Sequence, residues 1–161
     1  MTACSSTGTS TETSTGTSAS EGSQPAAMDD AAIVSRFQDS SVPPQYHRSE
    51  ELTIDRATTR LVIDSYGDVL ADESRPTPPD LWRELVAGID SMASIAVEPS
   101  QEGCVGGTST SLRVTSAGQV IIDIRADECA GANAQVSEAI GEWIGPARRL
   151  FPATEALAPT R

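Results

Sequence analysis

The sequence predicts an α+β fold, an antiparallel β-sheet of about five strands with two α-helices packed on one face, in the order βββαββα. Three observations lead there. Short alternating apolar runs recur between turn-like residues. Two longer segments repeat apolar residues every three or four positions, as helices do. Each of those helices is apolar on one side only, so the economical solution buries both against the same face of one sheet. The 161 residues suit a single unit, because single cores usually hold about 100–200 residues.

The elements follow in chain order. AAIVSRFQDSS reads as a strand with Ile33 and Phe37 on one face and Val34 on the other. VPPQYHRS ends it, since paired prolines cannot join a hydrogen-bonded ladder. EELTIDR places Leu52 and Ile54 on one face, and RLVIDSY returns as a third strand after a short ATT turn. GDVLADE reads as an extension of that strand past a glycine bulge. PTPPDLWRELVAGIDSMAS is the clearest helix. Thr77 suits its cap, Pro78 its first turn and Asp80 the positive end of its dipole. Leu81, Trp82, Leu85, Val86, Ile89 and Met92 form its apolar stripe. TSLRV and VIIDIR then pair about SAGQ, with Leu112 and Val114 facing Ile122 and Ile124. A second helix opens near Asn133 and carries Val136, Ile140, Trp143 and Ile144. Pro146 is expected to kink or end it. Leu150 and Phe151 continue the apolar set, and ATEALAPTR trails away.

Composition excludes several chemistries. The net charge is −12, from 23 acidic and 11 basic residues. The basic residues are scattered apart from Arg148-Arg149, whereas nucleic-acid binding needs clustered cations to displace counterions from phosphates. Every basic side chain is arginine and no lysine occurs, so a phosphate-loop lysine, a Schiff base and a Ser–Lys dyad are all absent. His47 is the only histidine, which removes multi-histidine zinc sites. No cofactor is expected. No run of eighteen apolar residues occurs, the length a membrane-spanning helix requires.

The first 27 residues differ from the rest. Between Ser5 and Ala27 there is no large apolar side chain, a composition that cannot offset the entropy of ordering. Residues 1–4 therefore stand apart as a start, 5–30 as a disordered Ser/Thr/Gly-rich tether, 31–157 as the folded domain and 158–161 as a tail. The opening MTAC-SS resembles the end of a bacterial lipobox, usually written Leu-Ser/Thr/Ala-Gly/Ala-Cys. Thr2 and Ala3 match its small positions, and Met1 stands where leucine is commonest. The Ser/Thr/Gly run resembles the tether of bacterial lipoproteins, with a reach of about 25–30 Å for a flexible chain of this length. That resemblance implies a lipid on Cys4, an extracytoplasmic location and attachment to the membrane through the lipid. The basic and apolar parts of the signal do not precede Cys4. An internal methionine taken as the start would produce that, whereas a true start at Met1 would leave the protein in the cytoplasm.

Cysteine number fits the same reading. With Cys4 lipidated, Cys104 and Cys129 remain as one pair. Antiparallel pairing about SAGQ brings the two to the open end of one hairpin, near register, where a disulfide can close. A reactive cysteine working with His47 is less favoured, because neither thiol has a cationic neighbour or a helix start beside it.

Three further stretches compete with plainer readings. Asp64, Asp68 and Asp72 recur every four residues, a set of carboxylates that calcium favours. A calcium loop needs acids every second residue and a closing glutamate, so a solvated face or turn explains them better. GCVGGTSTS looks like a phosphate loop but has no lysine and precedes a strand. Tyr46, His47 and Arg48 lie in PPQYHRS, a segment that suits either a recognition loop, given the weight of Tyr and Arg in binding hot spots, or a strand connection covering the sheet edge. No G-x-S-x-G elbow is present for a nucleophile.

These features favour a non-catalytic, lipid-anchored binding module of the cell envelope, acting on an envelope protein or ligand. Two alternatives are carried alongside it. One is an inhibitor that presents PPQYHRS or the Cys104 loop to a protease or other enzyme. The other is an enzyme built on carboxylates such as Asp64 and Asp68.

Overall fold

A computed structural model of the chain describes Met1 and residues 28–99, 106–129 and 131–160. It is an α+β protein: one antiparallel sheet of six strands and two main helices. The strands are β1 (Ala32–Gln38), β2 (Ser49–Asp55), β3 (Thr58–Ser65), β4 (Asp68–Pro76), β5 (Thr108–Ser116) and β6 (Gln119–Glu128). The helices are α1 (Pro79–Ala93), α2 (Ala134–Arg148) and the short α3 (Thr154–Leu157). In the sheet the order is β4-β3-β2-β1-β5-β6.

The sixth strand comes from the one turn that sequence reading takes for a bulge. Tyr66 and Gly67 both have positive φ, 53° and 94°, the two-residue hairpin geometry whose twist suits paired strands. GDVLADE therefore folds back as β4, with Asp72 opposite Val62 and Ala71 opposite Ile63. Ala117 and Gly118 turn the β5–β6 hairpin in the same way, with φ of 49° and 71°. There the expected facing pairs form, Leu112 with Ile124 and Val114 with Ile122.

Register puts the apolar side chains on one face. Ile33 pairs with Ile54 on one side and Val114 on the other, and Leu52 pairs with Leu61. All of these are buried in one cluster with Leu81, Trp82, Leu85, Ile89 and Met92 of α1 and with Val136, Ile140 and Ala147 of α2. The other face carries cross-strand ion pairs: Arg60–Asp72, Arg113–Asp123 and Arg36 to both Glu51 and Asp64. Opposite charges on facing strands stabilise a solvated face modestly.

Local details depart from expectation where side chains find better partners. Thr77 does not cap α1; its hydroxyl bonds that of Thr59 at 2.9 Å in the core. Asn133 precedes α2 in a left-handed conformation, φ 58°. Its amide accepts from Glu98 N (2.8 Å) and donates to Glu98 O (3.1 Å) and Asp127 O (3.2 Å). It thereby ties the segment after α1 to the end of β6 rather than capping its own helix. Pro146 lies inside α2, which runs two residues further. The end of the chain does not trail away: Thr154–Leu157 is helical, Ala158 is buried, and Met28 packs on the core at the other end. The folded unit thus takes in residues on both sides of 31–157.

Candidate functional site

α2 presents two stripes. Val136, Ile140 and Ala147 enter the core. Gly141, Ile144, Gly145 and Arg148 lie beside them at helical spacing, on one face. Two of those four positions have no side chain. What they leave open is a groove of about 330 Å³ between α2 and the ends of β1 and β2. Its sheet side is built from two neighbouring cross-strand pairs, Ser35 with Leu52 and Phe37 with Glu50. A methyl on Gly141 would meet nothing within 4 Å, so the space is real at that point.

Charge is arranged at this groove with care for burial. Arg148 donates Nε to Glu50 Oε2 at 2.8 Å and Nη2 to Glu50 Oε1 at 3.2 Å, a fork-to-fork pair. Its other donors reach Pro152 O (2.8 Å) and Thr154 Oγ1 (3.0 Å), and the Thr154 hydroxyl also bonds Glu50. Both ion-pair side chains are about one-fifth exposed. Glu50 is thereby neutralised within the groove wall. Arg149 also lines the groove. Its guanidinium lies along the backbone of Gly145, where an added Cβ would meet Nη1 at 3.2 Å.

The residues singled out from sequence are placed differently. Of Tyr46, His47 and Arg48, only Tyr46 is presented to solvent. Arg48 donates to the carbonyls of His47, Ala158 and Pro159 and so fastens the end of the chain to this loop. His47 is buried and stacked on Tyr66, ring centroids 3.8 Å apart. Its Nδ1 accepts the backbone N–H of Tyr66 at 3.3 Å. In the neutral ring the proton then sits on Nε2, 3.4 Å from Ser49 Oγ. A serine-activating base needs the reverse arrangement, with Nε2 accepting from the hydroxyl, and Ser49 is itself 1% exposed.

Asp64, Asp68 and Asp72 are not brought to one point. Asp64 is buried, accepting from Gly67 N at 2.9 Å to shape the β3–β4 turn and from Arg36 at 3.3 Å. Asp68 opens β4 and is exposed. Asp72 takes two hydrogen bonds from Arg60, at 2.8 and 2.6 Å, which hold its carboxyl below the ordinary aspartate range. Among the described residues no three His, Cys, Asp or Glu side chains gather in a way that could hold a metal ion. No described helix is long and apolar enough to cross a membrane. Cys129 follows β6 directly, while Cys4 and Cys104 lie outside the described residues. No protein family and no curated protein sequence matches the chain.

The groove was legible in one signal that composition alone conceals. In AIGEWIGPARR the glycines stand four apart beside an apolar stripe, and helix interiors disfavour glycine by roughly 1 kcal/mol each. Of the two, Gly141 leaves its space open, while Gly145 makes room for the Arg149 guanidinium.

Proposed function

We propose that this chain is a lipid-anchored protein of the cell envelope whose globular domain is a non-catalytic binding module. The open groove beside α2 carries the reading. Such grooves, apolar with a few placed polar groups, are where ligands bind. The orientation of His47 supports binding over acyl-transfer chemistry. Cys4 within MTAC-SS supports the anchor, and the polar residues that follow it support a tether.

A disulfide between Cys104 and Cys129 belongs to the same proposal. Glu128 pairs with Thr108 at the end of the ladder. Cys129 is the next residue after that pair, which supports the link.

The test of the anchor uses the native host and the gene with its natural upstream sequence. An alkyne-palmitate label should enter the wild-type protein and be lost in Cys4→Ala, which should leave the membrane fraction. A wild-type protein that stays unlabelled and cytosolic overturns the reading. A second reading, enzyme inhibition, is favoured by one observation: the loop displaying Tyr46 is braced by Asp39 on the backbone of Arg48 at 2.9 Å. A chymotrypsin-type protease, which accepts aromatic residues, should then be inhibited by wild type and not by Tyr46→Ala.

A further inference from the structure

We propose that the groove beside α2 binds a small amphiphilic carboxylate, with its apolar body on Phe37, Leu52 and Ile144 and its anionic head on Arg149. The inference rests on the binding-module reading and names the ligand class. It follows from how this protein treats its arginines. Of the ten that the structure describes, eight form ion pairs with carboxylates, and Arg48 is taken up by backbone carbonyls. Arg149 alone has neither kind of partner among the described residues. In a chain with 23 acidic residues against 11 basic, nearly every cation is claimed by a neighbour. The exception stands at the lip of an apolar groove.

The groove's own chemistry points the same way. Glu50 would repel an anion, but Arg148 neutralises it from within the wall and the Thr154 hydroxyl bonds it. One planar guanidinium matches one carboxylate through two parallel hydrogen bonds. A doubly charged phosphate would call for more than one free cation in so acidic a protein. About 330 Å³ is at the small end of ligand sites, which run from about 300 to 1,000 Å³, so the body is a short alkyl chain or one ring.

Octanoate and 1-octanol share one apolar body and differ in charge, and both can be titrated into the full-length protein while backbone amide resonances are followed by NMR. Octanoate should saturably shift Phe37, Leu52 and Ile144, and should bind about tenfold more tightly than octanol, the worth of one charge-assisted contact. Arg149→Gln should weaken octanoate by about the same factor and leave octanol unchanged. Equal binding of the two probes, or an Arg149→Gln protein that binds octanoate as wild type does, overturns the assignment of an anionic head. Shifts confined to another surface, or no saturation, overturn the site itself. A short peptide ending in leucine that binds the groove more tightly than octanoate assigns it to chain termini and overturns the small-molecule class. Palmitate labelling of Cys4 is read independently, so failure here leaves the anchored-module reading to its own test.

Discussion

At the scale of single residues, the same side-chain type does different work depending on what packs beside it. Asp64 and Asp72 lie on one strand hairpin, eight positions apart. The first is buried and shapes a turn, while the second is exposed and held by Arg60. The hydrogen bonds from Arg60 keep the Asp72 carboxyl ionised to lower pH than usual. A carboxyl lowered in the folded state contributes stability above the ordinary aspartate range, about pH 4. That contribution is lost as pH falls through the lowered value. In a carbonyl NMR titration Asp72 should therefore titrate below a free aspartate, and should return towards it in Arg60→Gln. Because the pair is exposed, the stability change that accompanies it should be small. His47 teaches a related lesson. As the only imidazole in the chain it invites a chemical role from sequence, yet its surroundings fix it as a buried, stacked ring whose acceptor nitrogen serves a backbone N–H.

At the scale of elements, α1 and α2 depend on glycines for opposite reasons. Gly88 lets the Trp143 indole lie on α1, and a Cβ there would collide with Trp143 Nε1. The indole N–H is buried without an acceptor among the described residues, so the ring is placed by packing rather than by a hydrogen bond. Gly88→Ala should lower stability by about 1–3 kcal/mol through overpacking, although alanine ordinarily favours a helix. Gly141→Ala meets open space and should raise stability by roughly 0.5–1 kcal/mol. Urea unfolding of the two variants should show midpoints moving in opposite directions. The helices are also tied to the sheet by charge. Glu50 and Arg148 join β2 to the end of α2 while partly screened from water. Glu50→Gln should cost about 1–3 kcal/mol, between the values for exposed and buried pairs. A double-mutant cycle with Arg148→Met should return most of that as coupling.

At the scale of the whole molecule, four strands run as a meander and the chain then crosses the sheet through α1 to add β5 on the other side of β1. β1 thus becomes central, and the β5–β6 hairpin depends on long-range pairing with it. A covalent link across the open end of that hairpin would stabilise the domain by restricting the unfolded chain. For a loop of this size the effect is about 3 kcal/mol. Reducing agent should lower the unfolding free energy by that order, and Cys104→Ser should match the reduced wild type. The two sheet edges, β4 and β6, carry Asp72, Glu73, Asp123 and Glu128, charges that discourage further strand addition.

The residues by themselves determined the α+β class, the faces of the strands and the stripe of α1, because alternation and helical spacing follow from backbone geometry alone. They determined the facing pairs of the second hairpin as well, since a short turn fixes register. The fourth strand was written in Tyr66-Gly67, but a single glycine suits a bulge or a turn, and only pairing with β3 chooses between them. The placement of β1 at the centre, the capture of Thr77 and Asn133 by distant partners, and the meeting of α2 with Phe37 and Glu50 were decided by tertiary structure. Those contacts join residues as many as about a hundred positions apart, and no local period encodes which of them will meet.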